Sequence, residues 1–394
     1  MVSSSAGPLV LVTEGWLANA GDGASYIATT RSLQRAMPGA RVAISAHHRA
    51  LVGGLYPELD LVPPLDALLG ISFPWTSEED IAERGLLEEV VEEADLILAA
   101  GGGYLLERYR PEARILGFEQ MLERGKRLML YSQSIGSFRD PALSARLQAV
   151  LQAAELVLVR DELSQEIVEG QRPADGVHLT ADEAFLFPSV RGVARPHSLL
   201  VTASPHPWER GGDDELPEET YIADLATALS SLLTSKTARS ITFASTAQGF
   251  GGELALEDDG LIAAAVLARV PAHLRNRISL HDGYLTPWQY AEVAARHTAA
   301  VSMRMHGAIL AATAGTPVLM ANASDKAREL ARRTDGGMPG IAERADLARL
   351  DQLVAPLLEN PREARLRQNA AVDQMRSLAR RNAELVSERL ARGV

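Results

Sequence analysis

Cysteine is absent from this 394-residue chain. That excludes disulfides, thiolate metal ligands and a cysteine nucleophile, and it is compatible with a reducing compartment. Long apolar runs are missing too: none approaches the roughly 18 residues of a membrane span. The opening Met1-Val2-Ser3-Ser4-Ser5-Ala6-Gly7-Pro8 has neither the basic region nor the apolar core of a signal peptide, so the expected location is cytoplasmic. Positive charge is in deficit, with 39 Lys and Arg against 51 Asp and Glu and a formal net charge of −12. No general affinity for nucleic acid or anionic membranes is expected from such a balance, although a few local arginines suffice to hold a small anion. Several motifs are also lacking: the Walker-type phosphate loop, a Gly-x-Gly-x-x-Gly after a strand, His-Glu-x-x-His and the Gly-x-Ser-x-Gly elbow. Neither His47-His48 nor Asp213-Asp214 comes with a plausible metal-ligand set, so no metal is expected; no resident cofactor is expected either.

What is present is a steady alternation of short β-type runs and helical stretches, which reads as α/β with parallel sheets. Hydrophobic residues at 46% and charged residues at 23% suit a soluble globular protein, and the length suggests two domains. Residues 9–12, 41–45, 96–99, 128–132, 156–159 and 177–180 read as strands of one sheet. A polar, proline-containing stretch at 188–197 reads as a linker. Residues 198–202, 240–244, 277–280, 298–302 and 317–321 then read as a second sheet. From about residue 344 the chain is helical and is expected to pack back on the rest. Two open α/β domains in succession direct attention to the carboxyl ends of their strands, facing a shared cleft.

The most informative segment is Ser302-Met303-Arg304-Met305-His306-Gly307-Ala308-Ile309. It follows a strand-like run and opens an Ala-rich helix, so backbone N–H groups and a positive dipole end are presented together. Arg304 adds a guanidinium fork that grips a carboxylate or phosphate bidentately. His306 can exchange a proton near neutral pH. The competing reading is a polar turn whose Arg and His satisfy local carbonyls. Gly101-Gly102-Gly103 after a strand permits positive φ and close approach of a ligand, or is a simple turn. Asn19-Ala20-Gly21-Asp22 is a binding turn or a helix cap. Asp161 reads first as an N-cap. Ser245-Thr246-Ala247-Gln248 closes a strand with three hydrogen-bonding side chains, either a binding loop or an ordinary polar strand end.

Taken in order, these segments resemble the polysaccharide pyruvyl transferase family. The matches are Asn19-Ala20-Gly21-Asp22, Gly101-Gly102-Gly103-Tyr104-Leu105, Gln133-Ser134-Ile135-Gly136-Ser137-Phe138, Val159-Arg160-Asp161-Glu162-Leu163-Ser164, Asp182-Glu183-Ala184-Phe185, Ser245-Thr246-Ala247-Gln248-Gly249, Ser302-Met303-Arg304-Met305-His306-Gly307 and Asp325-Lys326. Each motif is loose alone; the ordered set, spanning about residues 12–326, is specific.

The resemblance implies a GT-B-like fold: two Rossmann-like domains with parallel sheets facing a central cleft, and a helical C-terminal tail. The domains are then 8–190 on the acceptor side, 197–343 on the donor side, and the tail 344–394. It implies phosphoenolpyruvate as co-substrate and a sugar or glycan acceptor, giving a pyruvate ketal and inorganic phosphate. His306 is then the general acid. Arg304, Met305, Gly307, Ala308, Ser245, Thr246, Gln248, His206, Lys326 and Arg160 form the donor side, with the N–H groups of Gly307 and Ala308 assisting. Asn19, Asp22, Gly102, Gly103 and Gln133 face the acceptor. One departure stands out: many relatives carry an Arg where this chain reads Val201-Thr202-Ala203-Ser204-Pro205-His206, leaving His206 as a partial substitute. Two alternatives remain at this stage, a nucleotide-sugar-dependent GT-B glycosyltransferase and a non-catalytic sugar- or anion-binding relative. The basic Arg376, Arg380 and Arg381 of the tail suit peripheral contact with a lipid-linked acceptor or, more simply, a solvated helix face.

Overall fold

The computed structural model describes residues 7–69, 76–173, 175–205, 218–249, 258–281, 283–322, 324–341 and 344–392. The chain divides into two compact units. The first comprises the residues up to Ala18, Asp22–Leu186 and everything from Arg376 onward; the second comprises Asn19–Gly21 and Phe187–Met375.

In the first unit the strands are β1 (Leu9–Trp16), β2 (Arg41–His47), β3 (Asp60–Val62), β4 (Leu96–Ala99), β5 (Gly102–Leu105), β6 (Leu128–Ile135), β7 (Leu156–Val159) and β8 (Val177–Leu179). They form one sheet in the order β3-β2-β1-β4-β6-β7-β8, with β5 beside β6, and every pairing is parallel. Central strands of such a sheet are covered on both faces and therefore read as continuous apolar runs; Leu96–Ala99 and Leu156–Val159 are buried at every position. The core includes Leu11, Ile97, Leu130, Val157, Phe118 and Leu147, and each such side chain stabilises the fold by about 1.5–3 kcal/mol relative to exposure.

The triple glycine is more than the simple turn that is one of its two readings. Gly101 is a bend, and Gly102 and Gly103 open β5. β4 pairs with β6 at residues 128–130, and β5 pairs with it further along, at Gln133 and Ile135. Gly102, at φ +153°, supplies the kink between the two pieces, a backbone angle that side-chain-bearing residues rarely adopt.

The second unit contains β9 (Arg195–Thr202), β10 (Ser240–Phe243), β11 (Ile278–Leu280), β12 (His297–Ser302) and β13 (Val318–Met320), in the order β11-β10-β9-β12-β13 and all parallel. β9 begins inside the stretch that reads as a linker, because the polar residues 195–197 still pair at the sheet margin, with Arg195 opposite His297. Leu199, Val201, Ile241, Phe243, Val301, Leu225 and Leu229 belong to its core. In both sheets the strand order reverses beside the first strand, between β1 and β4 and between β9 and β12, and α/β sheets bind ligands outside the carboxyl ends of the strands at such points.

Two helices close the chain, Leu350–Glu359 and the 31-residue Pro361–Ala391. The long helix is divided between the units, its residues up to Met375 in the second and those from Arg376 in the first. Gln368 accepts from Val318 N–H (3.0 Å) and donates to the Thr316 carbonyl (2.9 Å) in the second. In the first, Arg376 Nε donates to the Phe185 carbonyl (3.0 Å), so Arg376 is not on a solvated face; Arg380 and Arg381 are exposed. Buried Asn382 donates to the Ala181 carbonyl (3.0 Å) and to Glu183 Oε2 (2.9 Å). Among the described residues no helix is long and apolar enough to cross a membrane.

Burial pushes the Glu183 carboxyl up to about 7, against the pull of Asn382, Ser32 and Tyr131. A raised folded-state value means that its contribution is fully present below the ordinary carboxylate range and is lost as pH rises through about 7. Glu183→Gln is therefore expected to flatten the decline in stability between about pH 5 and pH 8, a difference of up to about 3 kcal/mol by denaturant unfolding. Equal pH slopes in the two proteins would refute this.

Candidate functional site

The turn after β12 sits at the reversal point of the second sheet. Helix Met305–Thr313 starts there with Arg304 as its N-cap residue, in extended conformation. Backbone and side chains hold the turn from several directions. Ser302 Oγ donates to the Arg304 carbonyl (2.7 Å). The Tyr290 hydroxyl reaches Thr202 Oγ1 (2.7 Å) at the end of β9 and the Gly307 carbonyl (3.3 Å); burial raises that phenol above its usual value. Asn322 Nδ2 donates to the Met303 carbonyl (2.7 Å), and its Oδ1 accepts from Ser324 N–H (2.8 Å). Ser324 caps helix Asp325–Arg333, which carries half-buried Lys326 on its first turn. The structure thus brings the helix bearing Lys326 to the Arg304 turn.

Arg304 Nε donates to Asp259 Oδ1 at 2.9 Å. Asp259 is 1% exposed, and its Oδ2 accepts from Thr246 N–H (3.0 Å), Ala247 N–H (3.0 Å) and Thr246 Oγ1 (3.3 Å). Burial raises the Asp259 carboxyl above its usual value; the Arg304 charge and these N–H bonds pull it back. The predicted donor residues Ser245 and Thr246 are buried in this loop, and Gln248 is half-buried. Met305 and His306 are half-buried at the helix start, while Gly307 and Ala308 are buried. Ala308 does not offer its N–H as the sequence suggested: that group closes the first helical turn on the Arg304 carbonyl (3.0 Å), as the fourth residue of any helix does. His206 and the Asp213-Asp214 pair lie outside the described residues. Ser204, where many relatives carry Arg, is fully buried with its N–H 3.4 Å from the Tyr221 hydroxyl.

Asn19 belongs with this unit. It forms an isolated antiparallel bridge to Ala247, Ala20 N–H donates to the Thr246 carbonyl (2.7 Å), and Asn19 Oδ1 caps Gly21 N–H (2.8 Å). Gly21 packs against the His306 side chain so closely that an added β-carbon would overlap His306 Cβ.

Asp22, Gly102, Gly103, Gln133 and Arg160 belong to the first unit. Buried Asp22 lies close enough to Tyr104 to add to the raised value that burial gives that phenol. Tyr104 bonds Tyr26, oxygen to oxygen at 3.1 Å. Gln133 Nε2 donates to the Ala100 carbonyl. Buried Arg160 pairs with Asp182 and donates from Nε to Ser134 Oγ (2.8 Å), which donates to Asp161 (2.6 Å). Asp161 also accepts from Ser164 N–H (2.8 Å), the cap that the sequence suggested. At the end of β2, the Trp16 ring lies 5.3 Å from His47 and 4.7 Å from His48. Burial lowers both imidazoles, His48 to about 4. Among the described residues no group of three or more ligating side chains could hold a metal.

Sequence reasoning missed Asp259, Tyr290 and Asn322. The signal available for the first was Asp258-Asp259 ahead of an Ala-rich helix: Asp258 caps that helix through Gly260 N–H (2.7 Å), leaving its neighbour to turn inward.

Two parallel sheets with reversed strand order and an arginine-histidine turn at the second switch point define a GT-B-like α/β protein. Solved structures agree on the fold. S. aureus MnaA in complex with UDP has a TM-score of 0.61 at 12% identity, covering 98% of this chain and 95% of that one. The UDP-GlcNAc 2-epimerase of Neisseria meningitidis bound to UDP-GlcNAc gives 0.58 at 14% (98% and 100%), and Anabaena HepE with UDP-glucose gives 0.57 at 15% (98% and 98%). No curated protein matches the sequence. The sequence profile described as polysaccharide pyruvyl transferase matches residues 19–324, and the chain belongs to that family.

Gly21→Ala is expected to displace the His306 side chain without unfolding the protein. The check is the imidazole NMR signal of His306 alongside circular dichroism; an unmoved signal would count against the contact.

Proposed function

We propose that the protein transfers a pyruvyl group from phosphoenolpyruvate to two hydroxyls of a sugar, forming a cyclic ketal and releasing inorganic phosphate. Membership of the pyruvyl transferase family supports a transferase with a sugar or glycan acceptor. The observation that carries the finer reading is the placing of Arg304 and His306 on one helix start at the second sheet's switch point.

In this reading Arg304 holds the donor carboxylate or phosphate, with the first-turn N–H groups and the Lys326 helix start adding favourable potential. His306, as imidazolium, protonates the methylene carbon, and C2 becomes oxocarbenium-like. A sugar hydroxyl adds to C2 and gives up its proton; the C2–O bond to phosphate breaks; the neighbouring hydroxyl closes the ring and loses the second proton. One phosphoenolpyruvate and one diol thus become one ketal and one phosphate. Water must be kept from C2 throughout. The acceptor is a polymer, a lipid-linked precursor or a small natural product, met in the cytoplasm, and no resident cofactor is invoked.

A second reading has one specific support: the fold neighbours above bind UDP or UDP-sugars. It makes this chain a nucleotide-sugar enzyme.

The experiment is incubation with phosphoenolpyruvate and candidate sugars, following phosphate release and the mass gain of a ketal. His306→Ala is expected to lower turnover by at least about 10²-fold, and Arg304→Ala to weaken donor binding about tenfold or more. Full activity of His306→Ala removes it from the acid role; tight UDP-sugar binding with no response to phosphoenolpyruvate replaces the whole reading.

A further inference from the structure

We propose that Asp259 is the positioning residue of the donor site: it orients the Arg304 guanidinium and, in doing so, takes the N–H groups of Thr246 and Ala247 out of ligand binding. The phosphoenolpyruvate part of this inference rests on the reading above; the orientation of Arg304 does not.

A carboxylate buried to 1% exposure survives in an interior only if donors surround it. Asp259 has four, divided between its oxygens. Oδ1 takes Arg304 Nε, and Oδ2 takes two consecutive backbone N–H groups and the Thr246 hydroxyl. Its own N–H donates to the Ala247 carbonyl (3.2 Å), so loop and carboxylate hold each other. Neighbouring Asp258 caps the helix through Gly260 N–H and, with its other oxygen, accepts from Gly249 N–H in the loop (3.3 Å). The two adjacent aspartates therefore divide the work: one caps, the other is spent entirely on the site.

Two consequences follow for recognition. Successive loop N–H groups form the kind of concavity that binds anions, but at Thr246 and Ala247 the protein's own carboxylate already fills it. Thr246 is then a support for Asp259 rather than a donor ligand. Nε, committed to Asp259, is one guanidinium donor that does not go to a ligand, and that bond fixes the direction of the fork. The bonds from Ser302, Tyr290 and Asn322 at this turn go to backbone carbonyls and fix the main chain, whereas the bond from Asp259 is to the Arg304 side chain.

The test uses Asp259→Asn, nearly isosteric but with one acceptor oxygen fewer, alone and combined with Arg304→Ala. Calorimetric titration with phosphoenolpyruvate is expected to show affinity falling about tenfold in Asp259→Asn, with no further loss when the change is added to Arg304→Ala. Additive losses would mean that Asp259 supports the fold and does not act through Arg304, overturning the proposal. A readout that needs no donor is the guanidinium Nε–H signal of Arg304 in protein with isotope-labelled arginine, assigned by its disappearance in Arg304→Lys. Exchange with solvent should be slow in the native protein and fast in Asp259→Asn. Fast exchange in the native protein sinks the inference, even if Asp259→Asn fails to fold. Slow native exchange without any phosphoenolpyruvate binding keeps Asp259 in place and discards the pyruvyl reading.

Discussion

A carboxylate inside a protein is stable only where positive charge and N–H groups replace the water it has lost. At Asp259 that requirement draws together three stretches of the second unit: the start of helix Asp259–Arg269, the loop after β10, and the turn after β12. Each alone is an ordinary α/β connection. Joined through one buried side chain, they anchor the Arg304 guanidinium at the helix start that also carries His306. The parallel sheet makes this possible, since all its strands end on the same side, and the order reverses between β9 and β12, the kind of point where α/β sheets bind ligands.

The backbone of the turn is held separately from its side chains. Tyr290 ties Thr202 on β9 to the Gly307 carbonyl, and Asn322 links Met303 to the cap of the Lys326 helix. Neutral groups suffice for that task. Gly21 contributes by having no side chain, since any β-carbon there would occupy the space of His306. A segment read from sequence as acceptor-facing thus also confines the proposed acid.

The first unit uses similar chemistry to a different end. Its buried cation, Arg160, is paired with Asp182 and bonded to Ser134, and Ser134 in turn bonds Asp161. These residues lie in three of the family-like motifs, and here their bonds run to one another. Gly102 bends the sheet between β4 and β5, and Tyr104 meets Tyr26 beyond the bend. The glycine triplet is therefore explained by strand geometry.

Much of this was readable in the sequence. Strand runs such as 96–99 and 156–159 coincide with β4 and β7, because strands buried on both faces must be apolar throughout. The alternation of runs implied two parallel sheets, and the ordered motifs implied the family. The cap at Asp161 followed from local turn chemistry. Three features did not follow. Short β3 and β5 carry too few residues to show a period. The Ala308 N–H looked available until the helix start was located at Met305. Asp259, 45 residues from Arg304, looked like one more acid near a helix start. Patterning and capping are local properties, carried by neighbours along the chain. Which buried carboxylate meets which guanidinium depends on strand order and on how far each loop reaches, and only the folded chain decides that.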